Sequence, residues 1–243
     1  MQHLTFGKLL KMYKLSLLCP TRKRISGLSK MWESALKTSH SPNDLQLVLY
    51  VDNDDDETIN SLHNLSNISQ VKVLISDNKE IYSNLHNICC YNADAEIIFT
   101  SADDLIFRSD NWDLIVYEKF ESLPDKIAFL YPNDGYWGNK FGTHGFFHAN
   151  WFNTIGYISP PIFSVDYSDN YINDLAKSIE RSFYMDNIFI EHMHWTFGKS
   201  PFDETSKRAH EKRLKDDNRN IYENSSSLIN SDMLKLKSKM VNK

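Results

Sequence analysis

Apolar positions fall into short runs along the first half of the chain, each parted from the next by a segment of helical spacing. Leu15 to Cys19, Leu45 to Val51, Val71 to Ile75 and Ile97 to Phe99 are near-continuous apolar runs, the pattern of strands covered on both faces. Between them Ile25, Leu28, Met31, Trp32, Ala35 and Leu36 recur at helical spacing, as do Ile81, Leu85, Ile88 and Cys89. Strand and helix in alternation predict an α/β fold with a mostly parallel central sheet flanked by helices. In such sheets ligands bind beyond the carboxyl ends of the strands. Polar clusters stand at those ends: Arg22, Lys23 and Arg24 after Pro20, which is expected to stop the first strand, then Asp52 and Asp54 to Glu57 after the second, and Asp103 and Asp104 after the fourth.

The Asp103–Asp104 pair is caught between the apolar run that ends at Phe99 and a second apolar step, Leu105 to Phe107. Ionised carboxylates this close repel each other, and a bound cation relieves them; a surface turn with an Asp cap is the plainer alternative. The rim as a whole gathers cations and carboxylates, which suits a metal-bound phosphate ester.

The second half is less regular. Ile127 to Tyr131 and Asn187 to Ile190 predict further strands, and Asn170 to Arg181 a helix. The stretch from Pro132 to Gly156 is rich in glycine and aromatics, with Trp137, Phe141, Phe146, Phe147, Trp151 and Phe152 forming either a satellite core or a surface for stacking a sugar ring. From about Asp203 the chain turns charged, predicting a helical hairpin or partly ordered tail. Ile229, Met233, Leu236 and Met240 share one face there, which suits a membrane-surface or partner-binding helix, or a helix docked on its own domain.

Composition narrows the class. The 243 residues carry a formal charge of -5 and are 41% hydrophobic, which favours a packed soluble core over a nucleic-acid binder. Basic residues concentrate at the two ends, with Lys8, Lys11, Lys14 and Arg22 to Arg24 at one and Lys235, Lys237, Lys239 and Lys243 at the other. No stretch approaches the ~18 apolar residues of a membrane span, and no signal peptide is evident. Cys19, Cys89 and Cys90 lack zinc spacing and are expected as reduced thiols in a cytoplasmic protein.

Two constellations carry candidate chemistry. In the first, Asp103 and Asp104 join His192 and His194 from Glu191-His-Met-His194; hard oxygens with an imidazole suit Mn²⁺ or Mg²⁺. The helical His-Glu-x-x-His order of a zinc hydrolase is absent. In the second, Asp166 and Asp169 lie in a loop, where a carboxylate serves either as general base toward a hydroxyl or as the N-cap of the helix beginning at Asn170.

In order, these pieces resemble a GT-A-type glycosyltransferase close to the family 2 group, of a short bacterial or phage type, over Leu15 to Asp203. Leu17-Leu-Cys-Pro-Thr-Arg-Lys-Arg24 resembles the first strand and its loop, Val48-Leu-Tyr-Val-Asp52 the strand whose terminal Asp contacts the nucleoside, and Ala95 to Asp104 the strand leading to the DxD motif. Ser101 replaces the first Asp of that motif, and Asp103 keeps the metal-binding position. His144 to Gly156 resembles the segment before the acceptor loop, Ser168-Asp169 the family's Glu-Asp pair, and Ile190 to His194 the closing strand whose His completes the metal site.

The resemblance implies donor contacts from Pro20, Thr21, Arg22, Arg24, Asp52, Asp54, Ser83, Asn84, Ser101, Ala102, Asp103, Asp104, His144 and Gly145. It implies Mn²⁺ or Mg²⁺ on Asp103 with His192, or with His194, and Asp169 as the base with Asp166 second. Inverting transfer from a nucleotide sugar, a UDP-sugar by default, is the activity implied. The acceptor is a glycan, lipid, protein or modified base. A GT-A-like (Rossmann-like) domain over residues 1–202 and a charged, helical extension over 203–243 are expected, with the extension open to peripheral-membrane or oligomer contact. A sugar-phosphate nucleotidyltransferase and a non-catalytic nucleotide- or glycan-binding relative are the alternatives; the first is expected to carry a Gly-rich phosphate loop, and only Gly27 is near.

Overall fold

The structure, a computed structural model, describes residues 13–62, 69–76 and 80–241. The expected basic positions Lys8, Lys11 and Lys243 lie outside the described residues. One 8-stranded sheet runs through the molecule in the order β3-β2-β1-β4-β7-β6-β8-β5. Its strands are β1 (Tyr13–Thr21), β2 (Leu45–Asp52), β3 (Val71–Ser76), β4 (Ala95–Thr100), β5 (Leu105–Phe107), β6 (Phe129–Asn133), β7 (Phe146–His148) and β8 (Ser182–His192). β3, β2, β1 and β4 pair in parallel, as do β6 and β8. The antiparallel strand β7 joins the two sets, and β5 pairs antiparallel with β8.

Helices α1 (Ile25–Thr38), α2 (Asp56–Ser61), α3 (Tyr82–Tyr91), α4 (Trp112–Glu121), α5 (Ala149–Ile155) and α6 (Ser168–Ser178) occupy the connections between strands. Alternate residues of the central strands feed two cores. Leu15, Leu17, Leu47, Leu49, Ile97 and Phe99 meet Leu28, Met31 and Trp32 of α1 and Trp112 and Val116 of α4. Leu18, Val48 and Ile98 meet Cys89 of α3, Trp151 of α5 and Tyr171 and Leu175 of α6. Burial on both faces is why these strands read as continuous apolar runs.

Pro20 does not stop β1, which continues to Thr21. Pairing with β4 ends at Leu18, and Pro20 lies opposite Tyr50 of β2 alone, so its missing N–H falls where one side of the ladder has already parted. Most of the aromatic region is core rather than surface: Phe146, Phe147 and Trp151 are fully buried, and the first two belong to β7, a strand the hydrophobic pattern did not announce. The three cysteines are free thiols, Cys19 and Cys89 buried and Cys90 half-buried.

Beyond residue 203 the chain forms α7 (Glu204–Lys215), α8 (Asn218–Glu223) and α9 (Ser226–Lys239). The apolar face of α9 is docked on its own domain: Leu236 is fully buried, and Ile229, Met233 and Met240 pack against the second core. That face is therefore not presented to a membrane or a partner. Among the described residues no helix is long and apolar enough to cross a membrane. Of the basic positions near the two ends, Lys14 pairs with Asp44 and Lys235 with Asp232.

Asp232 fixes α9. It is fully buried and accepts hydrogen bonds from the hydroxyls of Tyr157 and Tyr171, the latter at 2.8 Å, and from Lys235 at 2.9 Å. Asp232→Ala leaves those phenols unpaired in the interior, a loss of about 3 kcal/mol. A fall of roughly 6–10 °C in Tm by calorimetry is expected; an unchanged Tm would mean that α9 is held by apolar packing alone.

Candidate functional site

The carboxyl ends of β1, β2 and β4 open into a cavity of about 400 Å³. Pro20, Thr21, Arg22, Arg24, Asp52, Ser83, Ala102, Asp103, Asp104, His144, Asp166, Asp169, His192 and His194, all expected from the sequence, line it.

Asp103 and Asp104 leave β4 side by side and enter opposite environments. Asp103 is 5% exposed, and both its oxygens are engaged: Thr21 Oγ1 donates to one at 2.8 Å, and Arg24 reaches the other at 3.3 Å. Burial nevertheless pushes its carboxyl up to about 6, against the pull of Arg24. Asp104 faces His192, whose Nε2 lies 3.4 Å from its carboxylate. Burial would raise this carboxyl too, but the hydrogen bond and charge of His192, with help from Arg24, outweigh it and hold Asp104 at about 2.

Strand register makes the Asp104–His192 pair. Leu105 of β5 stands opposite His192 of β8, and the Met193 N–H donates to the Asp104 carbonyl at 2.7 Å. A slip of one residue would turn His192 to the other face. The His144 ring packs edge-on 4.9 Å from His192, and burial with the neighbouring His192 keeps His144 far below the ordinary histidine range, as a neutral imidazole. His194 is oriented differently, with Nδ1 2.7 Å from Thr196 Oγ1.

Divalent-cation binding can be tested on these residues. Among the described residues no group of three or more His, Cys, Asp or Glu side chains is arranged as a ligand set. Asp104 and His192 do offer a carboxylate and an imidazole on the cavity wall, and the buried Nδ1 of His192 has no hydrogen-bond partner. Two protein donors fit a cation that takes its remaining ligands from a substrate's phosphates. Asp103, the metal ligand expected from the sequence, has each oxygen engaged in one hydrogen bond, from Thr21 and from Arg24.

Four of the expected donor residues do not line the cavity. Ser101 is fully buried in the turn after β4, where its N–H donates to the Leu18 carbonyl at 2.8 Å. Asn84 lies on α3 and donates to Glu80. Asp54 sits behind Arg22, 2.5 Å from its guanidinium. Gly145 is packed so closely that a Cβ there would stand 2.1 Å from the Phe129 ring, so its smallness serves the fit of β7 against β6.

Asp169 lies in the first turn of α6, which begins at Ser168, so it is not the helix cap. Its Oδ1 accepts from the Asn170 N–H at 2.9 Å. Burial raises its carboxyl to about 6. Asp166 is instead bound by Arg213, whose Nη2 donates at 2.8 Å.

Helix α7 was not expected at the site. Thr205, Arg208, Ala209 and Lys212 line the cavity at helical spacing. Arg208 reaches Asp52 at 3.2 Å, and Arg22 holds the same carboxylate oxygen at 3.1 Å. Asp203 fastens the start of α7, accepting from Nε and Nη2 of Arg24 at 2.7 Å each. This face is polar, so hydrophobic periodicity gave no sign of it; the spacing of its cations was the available signal.

No protein-family model matches the chain, and no curated protein sequence matches it. Solved structures share its fold. TarS from S. aureus (residues 1–349) has a TM-score of 0.58 at 12% identity, over 72% of this chain and 60% of its own. The same protein in complex with UDP-GlcNAc gives 0.58 at 12% identity, over 81% and 64%. The mannosyltransferase PcManGT from Pyrobaculum calidifontis, in complex with GDP-Man and Mn²⁺, gives 0.60 at 11% identity, over 76% and 59%. The chain spans less than two thirds of the length of these structures. What it shares with them is the GT-A-like glycosyltransferase fold.

Gly27 sets how closely α1 meets the site. A Cβ at Gly27 would lie 2.4 Å from the backbone carbonyl oxygen of Asp103, which cannot swing aside. Gly27→Ala is expected to push the start of α1 away from the β4 turn and cost about 1–3 kcal/mol, read as a lowered denaturation midpoint. A midpoint equal to the parent's would show that α1 shifts freely.

Proposed function

We propose that the protein is a glycosyltransferase that moves a sugar from a nucleotide-sugar donor to an acceptor hydroxyl. The observation that carries this reading is the Asp104–His192 pair on the wall of a cavity that Asp52 and Asp169 also line. The fold shared with proteins solved in complex with UDP-GlcNAc and GDP-Man supports it.

In this reading Asp52 contacts the nucleoside, with Arg22 and Arg208 fixing its carboxylate. Arg24, held by Asp203, stands beside Asp103 and gives the diphosphate a charged neighbour. Asp104 and His192 would hold a divalent cation, Mn²⁺ or Mg²⁺, which when bound neutralises charge on the leaving nucleotide. Asp169, in no salt bridge among the described residues and with its carboxyl raised to about 6, takes the proton from the acceptor hydroxyl as it attacks the anomeric carbon. A base opposite the leaving group gives inversion at that carbon.

Thermal unfolding with UDP- and GDP-sugars, each with and without Mn²⁺, tests the donor half. A true donor raises Tm by mass action, and Asp104→Asn should remove the dependence on Mn²⁺ while Asp103→Asn retains part of it. No stabilisation by any nucleotide sugar would reject the reading.

The base has its own signature. Burial favours the neutral acid and only the ionised form accepts a proton, so kcat/KM should fall as pH drops through about 6. Asp169→Asn is expected to keep donor binding and lose at least ~100-fold in transfer. Full turnover in that variant, or an acid limb that stays at ordinary carboxylate pH, would remove Asp169 from the mechanism.

A further inference from the structure

Beside the cavity mouth lies a group of aromatic rings that the donor reading does not use. Tyr136 is 59% exposed, Trp137 41% and Phe202 48%. They join the cavity through other rings. Tyr136 stacks on Phe197 at 3.8 Å, and Phe197 packs against His192 at 5.9 Å and His194 at 5.8 Å. On the other side Phe202 packs against Trp195 at 4.6 Å, and Trp195 itself lines the cavity.

The rings are held in place by a buried group. Asp134 is 5% exposed, and its Oδ1 accepts from the N–H groups of both Tyr136 and Trp137 at 2.8 Å. Its backbone carbonyl accepts from the His192 N–H at 3.1 Å, tying the same turn to the strand that carries the site. Gly135 makes this turn with φ +80, where a Cβ would stand 3.1 Å from the Phe189 ring. A buried carboxylate is thus committed to presenting two exposed aromatics beside the cavity.

The chemistry of the surface discriminates among acceptors. Its exposed apolar groups are aromatic, whereas the exposed aliphatic side chains Ile75, Ile162, Leu214, Ile221, Leu234 and Val241 belong to other segments. Flat rings, two of them with a polar edge (Tyr136 and Trp137), suit the C–H face of a sugar ring, which keeps its hydroxyls in water; an acyl chain needs continuous aliphatic cover. We propose that Tyr136, Trp137 and Phe202 form an acceptor subsite for a carbohydrate chain, which reaches the cavity past Trp195. This deepens the glycosyl-transfer reading and rests on it.

Binding of maltohexaose, cellohexaose and chitohexaose, followed by saturation-transfer NMR and titration, tests the subsite. The parent protein should bind at least one of them, and the double variant Tyr136→Ala/Phe202→Ala should weaken that binding about tenfold, the order that two lost stacking contacts supply. The stabilisation by UDP- or GDP-sugars should be the same in both proteins. Absence of binding to all three saccharides, or equal binding by the variant, overturns the subsite. So does adsorption to phosphatidylcholine vesicles that the double variant loses, which would assign the rings to a lipid surface. Nucleotide-sugar stabilisation is the separate readout for the reading beneath it: its loss from both proteins sinks glycosyl transfer, while the saccharide titration still decides the subsite.

Discussion

Adjacent carboxylates at the end of a central strand repel each other, and the way this chain separates their surroundings governs the whole rim. Asp103 is turned inward onto Thr21 and Arg24, which draws the loop after β1 and the start of α1 to the end of β4. Asp104 is turned to β8 and His192. Arg24 passes the constraint on, because its remaining donors grip Asp203 and Ser206 and so bring α7 to the cavity. The charges that would push this turn apart instead hold four segments of distant sequence around one hollow.

On the proposed reading, binding and chemistry would divide along the sheet. The parallel strands β1, β2 and β4 bring Thr21, Asp52 and Asp103, groups that are fixed by neighbouring cations or hydroxyls. On the proposed reading the acceptor side would be α6 and the β6–β8 region, where Asp169 is in no salt bridge among the described residues and the aromatic rings are exposed. Paired charges on one side and a raised carboxyl on the other would, on that reading, separate holding a charged donor from accepting a proton.

Much of this was legible in the residues because the physics behind it is local. Strands covered on both faces show as apolar runs, so β1, β2, β3 and β4 were visible, and the rule that sites form at strand ends placed Asp52, Asp103 and His192 on one rim. Strand β7 was hidden, since Phe146-Phe147-His148 is too short and too close to other aromatics to show a period. Ser101 and Gly145, expected as donor contacts, do not line the cavity, since a motif names positions without saying which side chains face inward. Helix α7 was missed for the opposite reason: its inward face is made of Thr205, Arg208 and Lys212, and a polar stripe looks like a solvated one until Asp52 is found across from it.

One irregularity in the sheet bears on how such a chain can change. Pairing of β6 with β8 passes from Pro132 opposite Met185 to Asn133 opposite Phe189, leaving Asp186, Asn187 and Ile188 as surplus length on β8. The surplus lies before the stretch Ile190 to His192 that meets β5. It isolates that stretch from length changes upstream, much as slack in a rope lets one end be cut without moving the knot at the other. A length change at the exposed Asp186 and Asn187 should leave His192 facing Asp104, whereas Ile188 is fully buried in the first core, and a single residue gained between Phe189 and His192 would turn His192 to the other face.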